Sequence, residues 1–137
     1  MLNFLKSIRL MDITPILNNI SFDRNRVMSE DASVTFNIRT ELTENVENDL
    51  CKLVITAETR GAQSDGPDIF TLTLGVEYLF KVMDKEAFSS SDSQERLRLA
   101  TNTVYLDFRK RLTLSMESTG MSGFKLPYSI EMLRDNK

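Results

Sequence analysis

Apolar and polar residues alternate with a period of two in three runs between residues 33 and 83, and a period near 3.6 takes over after residue 91. Ser33 to Leu42 sets Val34, Phe36 and Ile38 against Thr35, Asn37 and Arg39, the pattern of a strand with one wet face. Cys51 to Arg60 repeats it, with Cys51, Leu53, Ile55 and Ala57 on one side and Lys52, Thr56 and Glu58 on the other; Val54 is an apolar residue on the polar side. Ile69 to Met83 is the longest alternating run and places Phe70, Leu72, Leu74, Val76, Tyr78, Phe80 and Val82 on one face. Ile13 to Asp23 reads as extended, and Pro15, which cannot donate a ladder hydrogen bond, suits an edge or a bulge. Turn-forming residues from Gly61 to Pro67 mark a hairpin, and the acidic stretch from Glu44 to Asp49 reads as a solvated connection. Antiparallel neighbours joined by short loops make a four-stranded meander the simplest sheet.

The second half predicts one long helix. Ser91 with Gln94, and Asp92 with Glu95, have capping-box spacing, and Gly120 stands where a left-handed C-cap is wanted. Leu97, Ala100, Val104, Phe108, Leu112 and Met116 step by three or four into one apolar stripe. Leu99, Leu106 and Leu114, flanked by Tyr105, form a second stripe that a helix burying one side would not need. The fold class is therefore α+β: an antiparallel sheet, then a long helix, then a short C-terminal segment.

Width gives a reason to expect partners. Four strands about 4.8 Å apart are broader than a helix of roughly 10 Å diameter. Leaving Phe70, Tyr78 and Phe80 wet would forfeit about 1.5 to 3 kcal/mol each. The C-terminal segment, another subunit or a transient ligand should cover them.

Composition narrows the field. At 137 residues the chain has room for a single domain, 1–137, with 1–12 as a mobile or weakly helical arm. Seventeen basic against twenty acidic residues, scattered except at Arg109-Lys110-Arg111, argue against nucleic acid. The apolar N-terminus is broken by Lys6 and Arg9 and has no cleavage site, and no apolar run is long enough to span a bilayer, so a cytoplasmic protein is expected. Cys51, the single cysteine, falls on an inward strand position and reads as a buried structural thiol.

Histidine is absent, which removes the commonest proton shuttle at neutral pH. Glu44 with Glu47, and Asp84 with Glu86, lie in connections and read as solvated charges; Ser115 and Ser118 lack a base within the helix. No Cys/His metal spacing, glycine-rich phosphate loop or nucleophile elbow occurs, so neither an enzyme nor a cofactor is expected.

The order of elements and several local strings resemble the SecB family of protein-export chaperones. Ile20-Ser21-Phe22-Asp23 resembles the aromatic and acidic signature of that family's first strand, and Phe70 to Phe80 its fourth. Tyr105 to Gly120, followed by Phe124, Leu126 and Pro127, is similar to its long helix, glycine and proline-marked start of a short second helix. The likeness runs from Ile13 to Leu133. It implies a homotetramer, a dimer of dimers with long helices packed between subunits, which would give Leu99, Leu106 and Leu114 an interface role. It implies further that unfolded polypeptides are held without ATP in apolar grooves, with Phe70, Tyr78, Phe124, Tyr128, Ile130 and Leu133 as the residues lining them. An aromatic on a strand's inward face is also an ordinary core residue, so Phe70 and Tyr78 carry both readings.

Two departures bear on protein transport. Where the family presents acidic residues and a neighbouring leucine to the SecA motor, this chain has Asn19, Asp23, Thr73 and Thr71, so SecA docking is doubtful. The sequence also stops at Lys137, without the longer tail that adds a motor contact. Three readings follow: a SecB-like holdase for unfolded chains; a SecB-fold adaptor dedicated to one partner, such as a toxin–antitoxin component; and a small-ligand or catalytic domain using the same apolar face.

Overall fold

The alternating runs fold as strands, because inward β-branched and aromatic side chains pack on the pleated surface while the intervening polar ones stay wet. A computed structural model describes residues 2–22, 33–62 and 68–118. In chain order these form α1 (Leu2–Ser7), β1 (Ile8–Phe22), β2 (Ser33–Asn45), a 3-10 turn (Val46–Asn48), β3 (Leu50–Ala62), β4 (Asp68–Val82), α2 (Lys85–Ser89) and α3 (Ser93–Glu117). Gly120 and the expected short C-terminal helix lie outside the described residues.

The sheet is four-stranded and antiparallel, in the order β1-β4-β3-β2. β2, β3 and β4 make the expected meander. β1 departs from it: instead of pairing with β2 it lies against β4, at the opposite edge. Phe22, Phe70, Gly61 and Val34 share one row, so β1 ends and β2 begins at the same end of the sheet. Those two strand ends stand three strand spacings apart, about 14 Å. The long β4, inward-facing residues buried, is central because it can then pair on both sides.

The N-terminal arm is ordered. β1 begins at Ile8, five residues before the expected start, and α1 is pinned ahead of it. Phe4 stacks on Phe88 of α2 with centroids 5.7 Å apart. The Ser7 carbonyl accepts from the Met83 backbone N–H at 2.6 Å. Helix α2 was not expected; Asp84 caps it by accepting from the Ala87 N–H at 3.2 Å. For α3, Asp92 is the N-cap and accepts from the Glu95 N–H at 2.8 Å, as the spacing predicts.

The core lies between the sheet and α3. β3 contributes Cys51, Leu53, Ile55 and Ala57, β4 the even-numbered residues from Phe70 to Val82, and α3 the stripe Ala100, Val104, Phe108, Leu112 and Met116, all buried. Leu97, the first member of the stripe, is half-buried. Cys51 is buried as expected, and burial, reinforced by the nearby Glu44 carboxylate, pushes its thiol up to about 12. It is an inert core residue at neutral pH.

One core corner has no slack. The Phe70 ring lies over Gly61, filling the space where a β-carbon would stand. Two rows along, on the same face, the Thr59 hydroxyl is buried without a hydrogen-bond partner. Gly61→Ala is expected to destabilise the protein by about 1–3 kcal/mol through overpacking. Thr59→Val, which removes an unsatisfied group at nearly constant volume, should leave stability unchanged or raised. Urea midpoints of the two variants check both.

Candidate functional site

Strand pleat and sheet order decide which apolar residues are available to another chain. Even-numbered residues of β4 face α3, and β4 is flanked on both sides, so Phe70, Tyr78 and Phe80 are each no more than 1% exposed. Phe70 and Tyr78, expected to line an open groove, are closed off within this chain.

Tyr78 shows how. Its hydroxyl donates to Asp107 Oδ2 of α3 at 2.8 Å, and the same oxygen accepts from Arg111 Nε at 2.8 Å. Burial, then the bond to the Asp107 carboxylate, drives the phenol well above its ordinary value, so it stays a protonated donor. The bond ties the middle of α3 to the middle of the sheet. Its place in the core makes Tyr78 a structural residue.

A second tie holds the start of α3. Arg96 Nε donates to Glu44 Oε1 at 2.6 Å, Arg96 also donates to the Ser91 carbonyl, and its guanidinium lies 5.2 Å above the Phe88 ring. Both partners of the ion pair are mostly buried at the side chain, 15% and 25% exposed. Glu44 is thus not the solvated charge expected for that stretch. It is the last inward position of β2, held between sheet and helix.

The second stripe of α3 divides. Leu99, expected at an interface, and Tyr105 are buried within their own chain. Leu106 and Leu114 stand 61% and 56% exposed on the outer side of the helix. Phe124, Tyr128, Ile130 and Leu133 lie outside the described residues.

The apolar surface that sequence reasoning missed is β1. Leu10, Met11, Ile16, Leu17 and Ile20 are all exposed, although they belong to one strand. Register shifts fall between Leu10 and Asp12 and between Pro15 and Leu17, at the apolar doublets Leu10-Met11 and Ile16-Leu17. Each shift adds a residue without a partner on β4 and breaks the alternation of faces. Two adjacent apolar residues in an otherwise alternating strand, one pair beside a proline, are the signal that could have located this surface.

The outward sheet face is nearly neutral. Asn19 pairs with Thr73 and Ser21 with Thr71 across β1 and β4, while Lys52–Glu77 at 3.3 Å and Arg39–Glu58 at 3.9 Å neutralise one another. An outward recess of about 410 Å³ is lined by Arg39, Thr40, Glu41, Val54 and Thr56 and is open to solvent. A cavity of about 10 Å³ beside Phe88 and Lys85 has room for one water at most. Neither matches an enclosed ligand site. Among the described residues no group of three or more Cys, Asp or Glu is placed to hold a metal ion, and no helix is long and apolar enough to cross a membrane.

No protein-family model and no curated protein matches the sequence. Among solved structures the chain is similar to the Mycobacterium tuberculosis SecB-like chaperone Rv1957 in complex with a ChAD peptide from the Rv1956 HigA1 antitoxin. The TM-score is 0.70, with 11% identity, over 92% of this chain and 93% of that one. The chain has the SecB-like fold, as the order of its strands and helix led one to expect.

Removing the Tyr78 hydroxyl tests the central tie. Tyr78→Phe should cost about 1.5–3 kcal/mol, the range for a hydrogen bond to a charged group. Chemical denaturation measures it, and far-UV circular dichroism should show an unchanged fold.

Proposed function

We propose that this chain of SecB-like fold is a chaperone that binds unfolded polypeptides in the cytoplasm without ATP and works as a homo-oligomer. The observation that carries the reading is a fold shared along nearly the whole chain with a SecB-like chaperone solved with a peptide bound. The apolar residues left exposed support it, since β1 and the outer side of α3 present large side chains that a lone soluble chain gains nothing by showing. In this proposal Leu106 and Leu114 meet sister chains, as a dimer of dimers would require. Phe124, Tyr128, Ile130 and Leu133 contact the client. Extended clients gain both from apolar burial and from backbone hydrogen bonds, which demand little sequence.

A second reading, an adaptor dedicated to one protein partner, is favoured by the outward face. A SecA-like motor would need acidic residues there, and Asn19, Thr71 and Thr73 offer none. The neighbour's bound peptide comes from an antitoxin, which is consistent with a dedicated role in a toxin–antitoxin system.

Breadth of clients separates the two. Suppression of aggregation for several unrelated unfolded proteins supports the general chaperone; protection of a single natural partner supports the adaptor; protection of none refutes both. Replacing Ile130 and Leu133 together by serine should weaken client capture at least several-fold in a fluorescence-anisotropy titration, with secondary structure and assembly intact. Loss of the fold would mean that the pair is core. Leu106→Glu should lower the solution mass measured by light scattering, because it strands a charge at an apolar contact. An unchanged mass would remove α3 from the assembly.

A further inference from the structure

The N-terminal arm is held to the rest of the chain by little. Helix α1 has six residues, too few to keep a helix in water by themselves, so its order comes from docking. Two contacts supply it. The buried Phe4 ring stacks on Phe88 of α2, and the Ser7 carbonyl accepts from the Met83 N–H at 2.6 Å and from the Asp84 N–H at 3.4 Å. The Ser7 hydroxyl is buried too, but it turns back to the Phe4 carbonyl and adds nothing across the contact. Leu5 and Lys6 stay exposed.

The surface under the arm does not depend on the arm. Asp84 holds α2 from within, its carbonyl accepting from the Phe88 N–H at 3.0 Å and its carboxylate from the Ala87 N–H at 3.2 Å. The Arg96 guanidinium over the Phe88 ring is fixed in turn by Glu44 and by the Ser91 carbonyl. Taking Phe4 away would therefore leave a supported aromatic ring in a preformed place. Apolar surface already borders it, since Met83, whose N–H holds Ser7, is exposed, as is Leu10, three residues beyond Ser7.

We infer that α1 is an autoinhibitory strap: Phe4 fills, from within the chain, a place against Phe88 that an aromatic residue of a bound polypeptide takes when the strap lifts. The inference rests on the polypeptide binding of the proposed function, and names where one aromatic side chain goes and what guards the place. The resident segment shows the chemistry that fits: an aromatic ring on a short apolar stretch, with a backbone carbonyl set to accept from Met83 and Asp84. A client offering both replaces both contacts of α1. Displacement also returns conformational freedom to the released arm, which offsets part of the cost of ordering the client. While the strap is down, apparent affinity is reduced by the fraction of chains in which the place is open.

Fluorescence anisotropy on the full chain tests this with two labelled, unstructured peptides that differ at one central position, phenylalanine or alanine. Phe4→Ala removes the resident ring and should bind the phenylalanine peptide about fivefold more tightly than wild type does, with little change for the alanine peptide. Phe88→Ala removes the surface that both rings use and should bring the two peptides to equal affinity. Circular dichroism shows whether each variant is folded, and one measurement needs no variant: adding the phenylalanine peptide to wild type should speed amide exchange along α1 as the strap comes off. A folded Phe4→Ala chain that binds no better than wild type, a folded Phe88→Ala chain that still prefers phenylalanine, or exchange along α1 that the peptide leaves unchanged or slows, overturns the strap and leaves polypeptide binding standing. Binding of neither peptide by any of the three proteins refutes polypeptide binding and the strap with it.

Discussion

A single helix is narrower than the sheet it must cover, and the whole molecule follows from where that mismatch is allowed to remain. The chain concentrates cover on β3 and β4, whose inward residues are nearly all buried. It leaves the shortfall at β1 and on the outer side of α3. The apolar surface available to other chains is therefore peripheral to the sheet, and its aromatic centre is closed.

Two polar ties set the position of the helix over that centre. Tyr78 to Asp107 fixes its middle, and Arg96 to Glu44 fixes its start. Apolar packing alone is indifferent to sliding by a fraction of a turn, whereas a buried hydroxyl or charge loses its partner if the helix moves. Phe88 beneath Arg96, stacked on Phe4, extends the second tie to the N-terminal helix. The ordered N-terminus thereby fixes where β1 begins.

Much of this was legible from residue order. Val34, Phe36 and Ile38 mark a half-wet strand, Asp92 with Glu95 marks the helix start, and the stripe from Ala100 to Met116 is the buried side of α3. Periodicity is a local property, and it carried the elements well. Strand order is not local: nothing in Ile13 to Asp23 reveals that β1 pairs with β4 and not with β2. For the same reason Tyr78 looked like a groove residue, since its partner Asp107 lies 29 positions away. The burial of Leu99 in its own chain was not legible, because spacing along a helix does not say how wide the buried sector is. The doublets Leu10-Met11 and Ile16-Leu17 did carry information, as breaks in the alternation that mark bulges.

The division between a sealed centre and an apolar edge is the claim on which the account stands, and amide hydrogen exchange followed against protein concentration tests it most directly. Protection of β3 and β4 should be high at every concentration, while protection of β1 should rise as the chains associate and fall on dilution. Deep protection of β1 in a dilute, monomeric sample, or rapid exchange along β4 at any concentration, would contradict it.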